Sequence, residues 1–193
     1  MYEVVEGKRR TVLTLSTLIL MTCLLGYGLI MGSFSAGPLL LAAPTKLTLG
    51  FLASIGICLP SLYILVCVAG CRMTAPQVCG VLLASLSLFG VFLVGFAPIT
   101  WVFSQSTESP TVMGIIHLLV ILVSLFFALR LLEITFRSLS SINGWVLKLW
   151  STMFIVVLFQ MSTTLRPFLT GDSDLSPFIL RSKRFFIDSW LGL

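Results

Sequence analysis

Apolar residues fill five long stretches of this chain, and short polar segments separate them. The stretches lie at about 11–32, 47–70, 77–103, 111–136 and 145–169. A helix needs roughly 20 residues to cross about 30 Å of hydrocarbon, and each stretch is long enough. Within lipid, a helix pairs its backbone groups internally. The pattern predicts an all-α, polytopic membrane helical bundle with about five transmembrane helices, forming a single transmembrane domain over residues 1–193.

The overall composition favours the same class of protein. The chain is 58% hydrophobic and 10% charged, with a mean hydropathy of +1.10, whereas soluble domains carry about 25% charged residues. The formal charge of +5 is small, and basic residues of membrane proteins usually set topology or contact lipid headgroups. We expect the lipid bilayer as a partner and no nucleic acid, because no loop interleaves basic and aromatic residues.

The first apolar stretch raises the question of a cleaved signal peptide. Lys8, Arg9 and Arg10 precede it as a basic region would. The apolar run that follows is longer than the 7 to 15 or so residues typical of such a peptide. An uncleaved anchor is therefore the favoured interpretation, with cleavage as the alternative.

The distribution of Lys and Arg predicts the orientation, because short cytoplasmic loops are enriched in both. If the spans alternate, one side carries Lys8, Arg9, Arg10, Arg72, Arg130, Arg137 and Lys148. The other side carries Lys46 in the first loop. We expect a multi-pass protein of the bacterial inner membrane with a cytoplasmic N-terminus and an external C-terminus. The basic residues of the tail run against this assignment.

Small residues recur at a spacing of four in two of the stretches. Gly28 and Gly32 form one pair, and Gly80 and Ala84 form the other. Such pairs let helices approach closely in lipid. They predict helix packing, either within the bundle or between copies of the chain.

Polar residues gather toward the predicted outer side of the spans. They form an expected polar belt for partner, ligand or lipid contact, whose candidate residues are Ser33, Thr100, Ser106, His117, Gln160 and Arg166. Polar groups in lipid are costly, so each one is a functional candidate.

Each candidate of the belt also has a plain structural interpretation. His117 and Gln160 can simply hydrogen-bond within the bundle. Arg166, followed by the helix-stopping Pro167, can be an interfacial anchor whose guanidinium reaches the headgroups. Arg166 can instead hold an anionic headgroup or a carboxylate. Glu133 stands three residues after Arg130 and four before Arg137, so we expect structural ion pairs on one helix face.

No catalytic motif stands among these residues. The chain has one His and no GxSxG, HExxH or phosphate-binding loop. Its five cysteines include no CxxC pair. We therefore expect no enzyme, no cofactor and no metal.

The C-terminal tail carries a different pattern. Between about 177 and 191, charged residues recur at spacings of three and four among bulky aromatic residues. This predicts an amphipathic helix that lies on the membrane surface or docks against a partner.

Several segments in order resemble a family of small, uncharacterised five-span bacterial inner-membrane proteins. They are GYGLIMGSFSAG at 26–37, CLPSLYIL at 58–65, FAPITWVFSQST at 96–107, FQMSTTLRPFL at 159–169, and SPF at 176–178 with Arg181 and the aromatic residues 185 and 186. The resemblance implies the same topology and a bacterial source. It implies no activity, because none is assigned to the family.

Three functional interpretations remain open at this point. The first is a non-enzymatic membrane subunit or scaffold of a larger complex, with other membrane proteins or further copies of itself as partners. The second is a small transporter or channel component that uses the prolines Pro60 and Pro98 within the spans and the polar groups His117 and Gln160. The third is a lipid-headgroup enzyme with His117 as base and Arg166 as phosphate ligand.

Overall fold

Five α-helices make up the described chain in a computed structural model. The helices are α1 (Tyr2–Ser33), α2 (Leu39–Val68), α3 (Ala75–Ser106), α4 (Pro110–Leu139) and α5 (Gly144–Thr164). The structure describes residues 2–33, 39–71, 73–106, 110–139 and 144–164, and side chains within 10–32, 43–71, 73–106, 112–139 and 144–161.

All five helices are long and apolar enough to span a membrane. The qualifying segments are Arg10–Gly32, Ala43–Val68, Ala75–Ser106, Val112–Leu139 and Gly144–Met161. The predicted class, an all-helical bundle with five candidate spans, is confirmed. The chain is a multi-pass membrane protein, and its exposed residues include many large apolar side chains suited to contact with lipid.

The helices follow one another around the bundle in the order α1, α2, α5, α4, α3. Helix α1 packs most extensively on α3 and α2, and α3 also packs on α4. Helix α5 packs chiefly on α2 and meets α4 much less. For orientation, we call the end with the N-terminus of α1 and the α2–α3 and α4–α5 connections the N-side end, and the other the C-side end.

Aromatic side chains fill the middle of the bundle. The Phe51 ring of α2 stacks on the Phe89 ring of α3 with centroids 4.8 Å apart. It also meets the Phe154 ring of α5 edge-on at 6.3 Å. All three side chains are almost fully buried. Three helices are thus joined through one aromatic layer, since such pairs add to ordinary packing.

Two of the described glycines lie where helices approach closely. A Cβ atom at Gly28 would lie 2.8 Å from the Cβ of Pro44, and closer still to its Cα, so α1 touches the backbone of α2 there. A Cβ at Gly90 would lie 2.9 Å from the Cβ of Cys23, where α3 meets α1. Gly28 thus lies at a tight helix contact, as its small-residue pair predicts.

The other predicted small-residue positions behave differently. Gly32 is buried, whereas Ala84 is exposed on α3. The nearest atom to a Cβ at Gly80 would be Cδ2 of Leu13 at an ordinary 3.6 Å. Within the chain, α3 therefore approaches α1 closely through Gly90 rather than through the Gly80 and Ala84 pair.

Helix α2 begins earlier than the hydrophobic pattern predicts. It starts at Leu39, not near residue 47, and contains Pro44. Lys46, expected in the first loop, lies instead within α2 and is 2% exposed. The loop position predicted for Lys46 was wrong because the predicted span begins just after this charged residue, whereas the bundle buries it. Residues 165–193, including the predicted amphipathic helix, lie outside the described residues.

Candidate functional site

One polar side chain stands at a similar depth in each of the five helices. Tyr27, Lys46, Thr100 and His117 each lie about two turns from the C-side end of their helix, and Gln160 lies about one turn from it. The first four are buried and Gln160 is half-buried. The bundle therefore has a polar layer close to its C-side end.

A hydrogen bond between two helices forms the centre of this layer. The Tyr27 hydroxyl of α1 lies 2.9 Å from Nδ1 of His117 of α4. The two rings meet edge-on, with centroids 5.6 Å apart. The Thr100 side chain of α3 lies beside the Tyr27 hydroxyl. These three residues, which we call the Tyr27 cluster, link α1, α3 and α4, and none is more than 1% exposed.

The directions of the hydrogen bonds follow from the available donors. The Thr100 hydroxyl donates to the carbonyl oxygen of Ala97 at 2.9 Å, so its oxygen is free to accept from Tyr27. If His117 donates from Nδ1 to the Tyr27 oxygen and Tyr27 donates to the Thr100 oxygen, the His117 N–H and both hydroxyl protons each have an acceptor. Only the lone pair of Nε2 is then left without a donor among the described residues. The reverse tautomer would bury an N–H at Nε2 that lacks an acceptor among the described residues, and such orphaned donors are rarer than underused acceptors. We therefore assign the proton to Nδ1.

The Nε2 atom of His117 is the open position of the cluster. It is buried and has no hydrogen-bond partner among the described residues. A neutral imidazole with a free acceptor nitrogen can take a hydrogen bond from a water molecule or a small donor. It faces the interior of the bundle and not a surface. His117 and Thr100 are therefore buried within the bundle, and His117 makes the hydrogen bond inside the bundle that its structural interpretation predicts.

Of the remaining belt candidates, Ser106 and Gln160 have described side chains. Ser106 is exposed and its hydroxyl donates to the Val102 carbonyl of its own helix at 3.1 Å. Gln160 lies on α5, which packs chiefly on α2. Ser33 ends α1 but its side chain lies outside the described ones, and Arg166 lies outside the described residues altogether.

Tyr27 was missed by the sequence analysis. A tyrosine in an apolar stretch is easily taken for a core aromatic residue, because most of its surface is hydrocarbon. A usable signal was its depth, since Tyr27 and His117 stand at matching distances from the ends of their spans. A buried tyrosine hydroxyl needs a partner, and His117 was the one polar aromatic group predicted at that level.

Charged residues of α4 form a second polar group at the N-side end. Glu133 accepts a hydrogen bond from Arg130 at 3.1 Å and forms an ion pair with Arg137 at 2.9 Å. The predicted ion pairs at spacings of three and four are confirmed. The carboxylate is largely buried, while more than half of each arginine side chain is exposed.

Potential metal ligands do not cluster in the part of the chain that the structure describes. That part contains no group of three or more His, Cys, Asp or Glu side chains placed to hold a metal ion. The cysteines there are all free thiols. The expected lack of an enzyme activity, a cofactor and a metal remains a prediction.

A double-mutant cycle tests whether Tyr27 and His117 stabilise the bundle together. We expect Tyr27→Phe and His117→Leu to be coupled by about 0.5–1.5 kcal/mol, the range of hydrogen bonds between membrane helices. Unfolding in mixed micelles with increasing dodecyl sulfate, followed by circular dichroism, measures each free energy. Pairing Tyr27→Phe with Ser106→Ala is the control, because Ser106 bonds only within α3 in the described contacts. Equal coupling energies in the two cycles would contradict the hydrogen bond between Tyr27 and His117.

The chain matches no protein-family model, no curated protein and no solved structure.

Proposed function

We propose that the protein is a non-enzymatic integral subunit or scaffold of a larger membrane complex. The observation that supports this role most directly is the packed centre of the bundle. Phe51, Phe89 and Phe154 occupy it, and in the Tyr27 cluster the Tyr27 hydroxyl pairs with Nδ1 of His117. That hydrogen bond joins α1 to α4, and what the bundle presents outward is mostly apolar helix surface.

The proposed location is the bacterial inner membrane, with the N-terminus in the cytoplasm. The resemblance to five-span inner-membrane proteins supports the location. The charge distribution supports the orientation, because Arg130, Arg137 and Lys148 lie at the N-side end together with Arg10. Burial of Lys46 within α2 removes the one basic residue expected in the first loop, which strengthens the charge difference between the two sides.

A small transporter or channel component is the alternative, and the Tyr27 cluster is what favours it. Buried histidines with a free nitrogen occur in proton and ion pathways. From His117 toward the N-side end, however, the next buried residues of α4 are Val120, Ser124 and Leu125. The aromatic layer follows at mid-bundle. Because these groups along the bundle are mostly apolar, they favour a packing role for His117 over a place in an ion or proton pathway.

Site-specific photocrosslinking in native membranes tests the scaffold proposal. A benzophenone amino acid replaces one lipid-facing residue of each helix in turn, at Leu15, Ile57, Val91, Leu119 and Val156, each more than half exposed. A subunit buried in a complex should yield discrete protein adducts from one helix face or two adjacent ones. A second copy of the chain carrying a different tag identifies self-association. If all five positions yield lipid adducts alone, the scaffold proposal fails.

A further inference from the structure

The two arginines of α4 are held in a fixed arrangement by one buried carboxylate. Glu133 is 8% exposed and binds Arg130 through one oxygen and Arg137 through the other. Each guanidinium carries five N–H donors, and the ion pair to Glu133 takes up a minority of them. We call Arg130 and Arg137 the arginine pair. With Glu133 it carries a net charge of about +1, which suits a monoanion.

The surroundings of the arginine pair are amphipathic. Phe126, one turn before Arg130 on the same face of α4, is 65% exposed. Arg137 lies against Gly144 at the start of α5, and the next residue, Trp145, is 66% exposed. Exposed tryptophans are typical of the depth where headgroups meet acyl chains. Cations at that depth with aromatic surface beside them fit a molecule that has both a phosphate and hydrocarbon chains.

We infer that the arginine pair is a binding site for the phosphodiester of an anionic phospholipid. The two guanidiniums donate to the phosphate oxygens, and the acyl chains lie along the exposed apolar surface around Phe126. The site is at the edge where α4 and α5 have few contacts, so a lipid there adds contact to a sparsely packed pair of helices. Free phosphate would gain only the ionic half of this interaction. The inference is independent of the proposed scaffold role.

Lipid titration of the purified protein, read by native mass spectrometry, tests the inference. The probes are phosphatidylglycerol, phosphatidylcholine with matched acyl chains, and inorganic phosphate. We expect one phosphatidylglycerol to bind saturably, with phosphatidylcholine and phosphate at least about tenfold weaker. Equal binding of the two lipids, or equal binding of phosphate, would overturn the site.

Substitutions locate the binding on the arginine pair. Arg130→Gln with Arg137→Gln should weaken phosphatidylglycerol at least about tenfold, because two charge-assisted hydrogen bonds are lost. The triple variant that adds Glu133→Gln avoids leaving a buried carboxylate unpaired and should show the same loss. Arg10→Gln, an exposed arginine at the same end of the bundle, is the matched control and should change binding less than about twofold. Unchanged binding in the triple variant would contradict the inference.

A measurement on the unaltered chain covers the case in which these variants do not fold. A photoactivatable phosphatidylglycerol is added to the wild-type protein, and labelled peptides are sequenced. Labels should concentrate on α4 and the start of α5, around Phe126 and Trp145. Labels confined to α1, α2 and α3 would place the lipid elsewhere and remove the proposed site.

Discussion

Replacing Trp150 with alanine is expected to lower the free energy of unfolding by about 3–5 kcal/mol, the usual cost of truncating a buried tryptophan. Trp150 is 1% exposed. Its ring stacks on Phe154 with centroids 5.3 Å apart, and its indole N–H donates to the Cys58 carbonyl at 3.1 Å and lies 3.2 Å from the Ser61 hydroxyl oxygen. The side chain thus secures α5 to α2, the helix on which α5 chiefly packs.

Two further tryptophan variants separate packing from hydrogen bonding. Trp150→Phe keeps a stacked ring and should cost only about 1 kcal/mol, because the Ser61 hydroxyl still donates to the Cys58 carbonyl. Trp145→Ala is the control and should change stability by about 0.5 kcal/mol or less, since Trp145 is 66% exposed. Unfolding by dodecyl sulfate followed by far-ultraviolet circular dichroism avoids the loss of indole fluorescence. An equal cost at both tryptophans would contradict the packing of α5 described above.

Replacing Gly28 with alanine is expected to cost about 2–3 kcal/mol. The new methyl group would overlap the backbone of Pro44, which cannot move aside as a flexible side chain can. Helices α1 and α2 would have to separate, and overpacking of this kind typically costs 1–3 kcal/mol or so. The loss affects one of the largest helix contacts of the bundle.

Gly26 offers a matched control for this substitution. It lies two residues away on the same helix, and a Cβ there would meet nothing within 4 Å. Gly26→Ala should therefore be neutral or raise stability by up to about 1 kcal/mol through helix propensity. The same dodecyl sulfate titration measures both variants. If Gly26→Ala and Gly28→Ala behave alike, the close approach at Pro44 is absent from the folded protein.

The number and order of the helices follow from hydrophobic pattern alone, because span length is set by the thickness of the bilayer. Helix ends follow less well. The start of α2 was placed near residue 47 and not at Leu39, since apolar length does not show how far a helix continues beyond the hydrocarbon. Lys46 shows the same limit, because its burial depends on which neighbours cover it.

The candidate site was only half predictable. His117 and Thr100 stood out as polar residues in apolar spans, and depth placed them at one level. Their common neighbour Tyr27 did not stand out, and the pattern did not show that His117 and Thr100 are buried within the bundle. Each helix is apolar on nearly all sides, so the sequence does not mark which face turns inward. For the same reason Gly90 could not be preferred over Gly80 as the contact with α1.

The position of the two chain ends tests the central claim most directly, because five membrane crossings must leave them on opposite sides. Single cysteines placed near residue 2 and near residue 190 in a cysteine-free variant are labelled in intact cells with a maleimide that cannot cross the membrane. We expect labelling of the C-terminal position alone, with the N-terminal position reacting only after permeabilisation. Labelling of both positions in intact cells, or of neither, would contradict a five-span bundle.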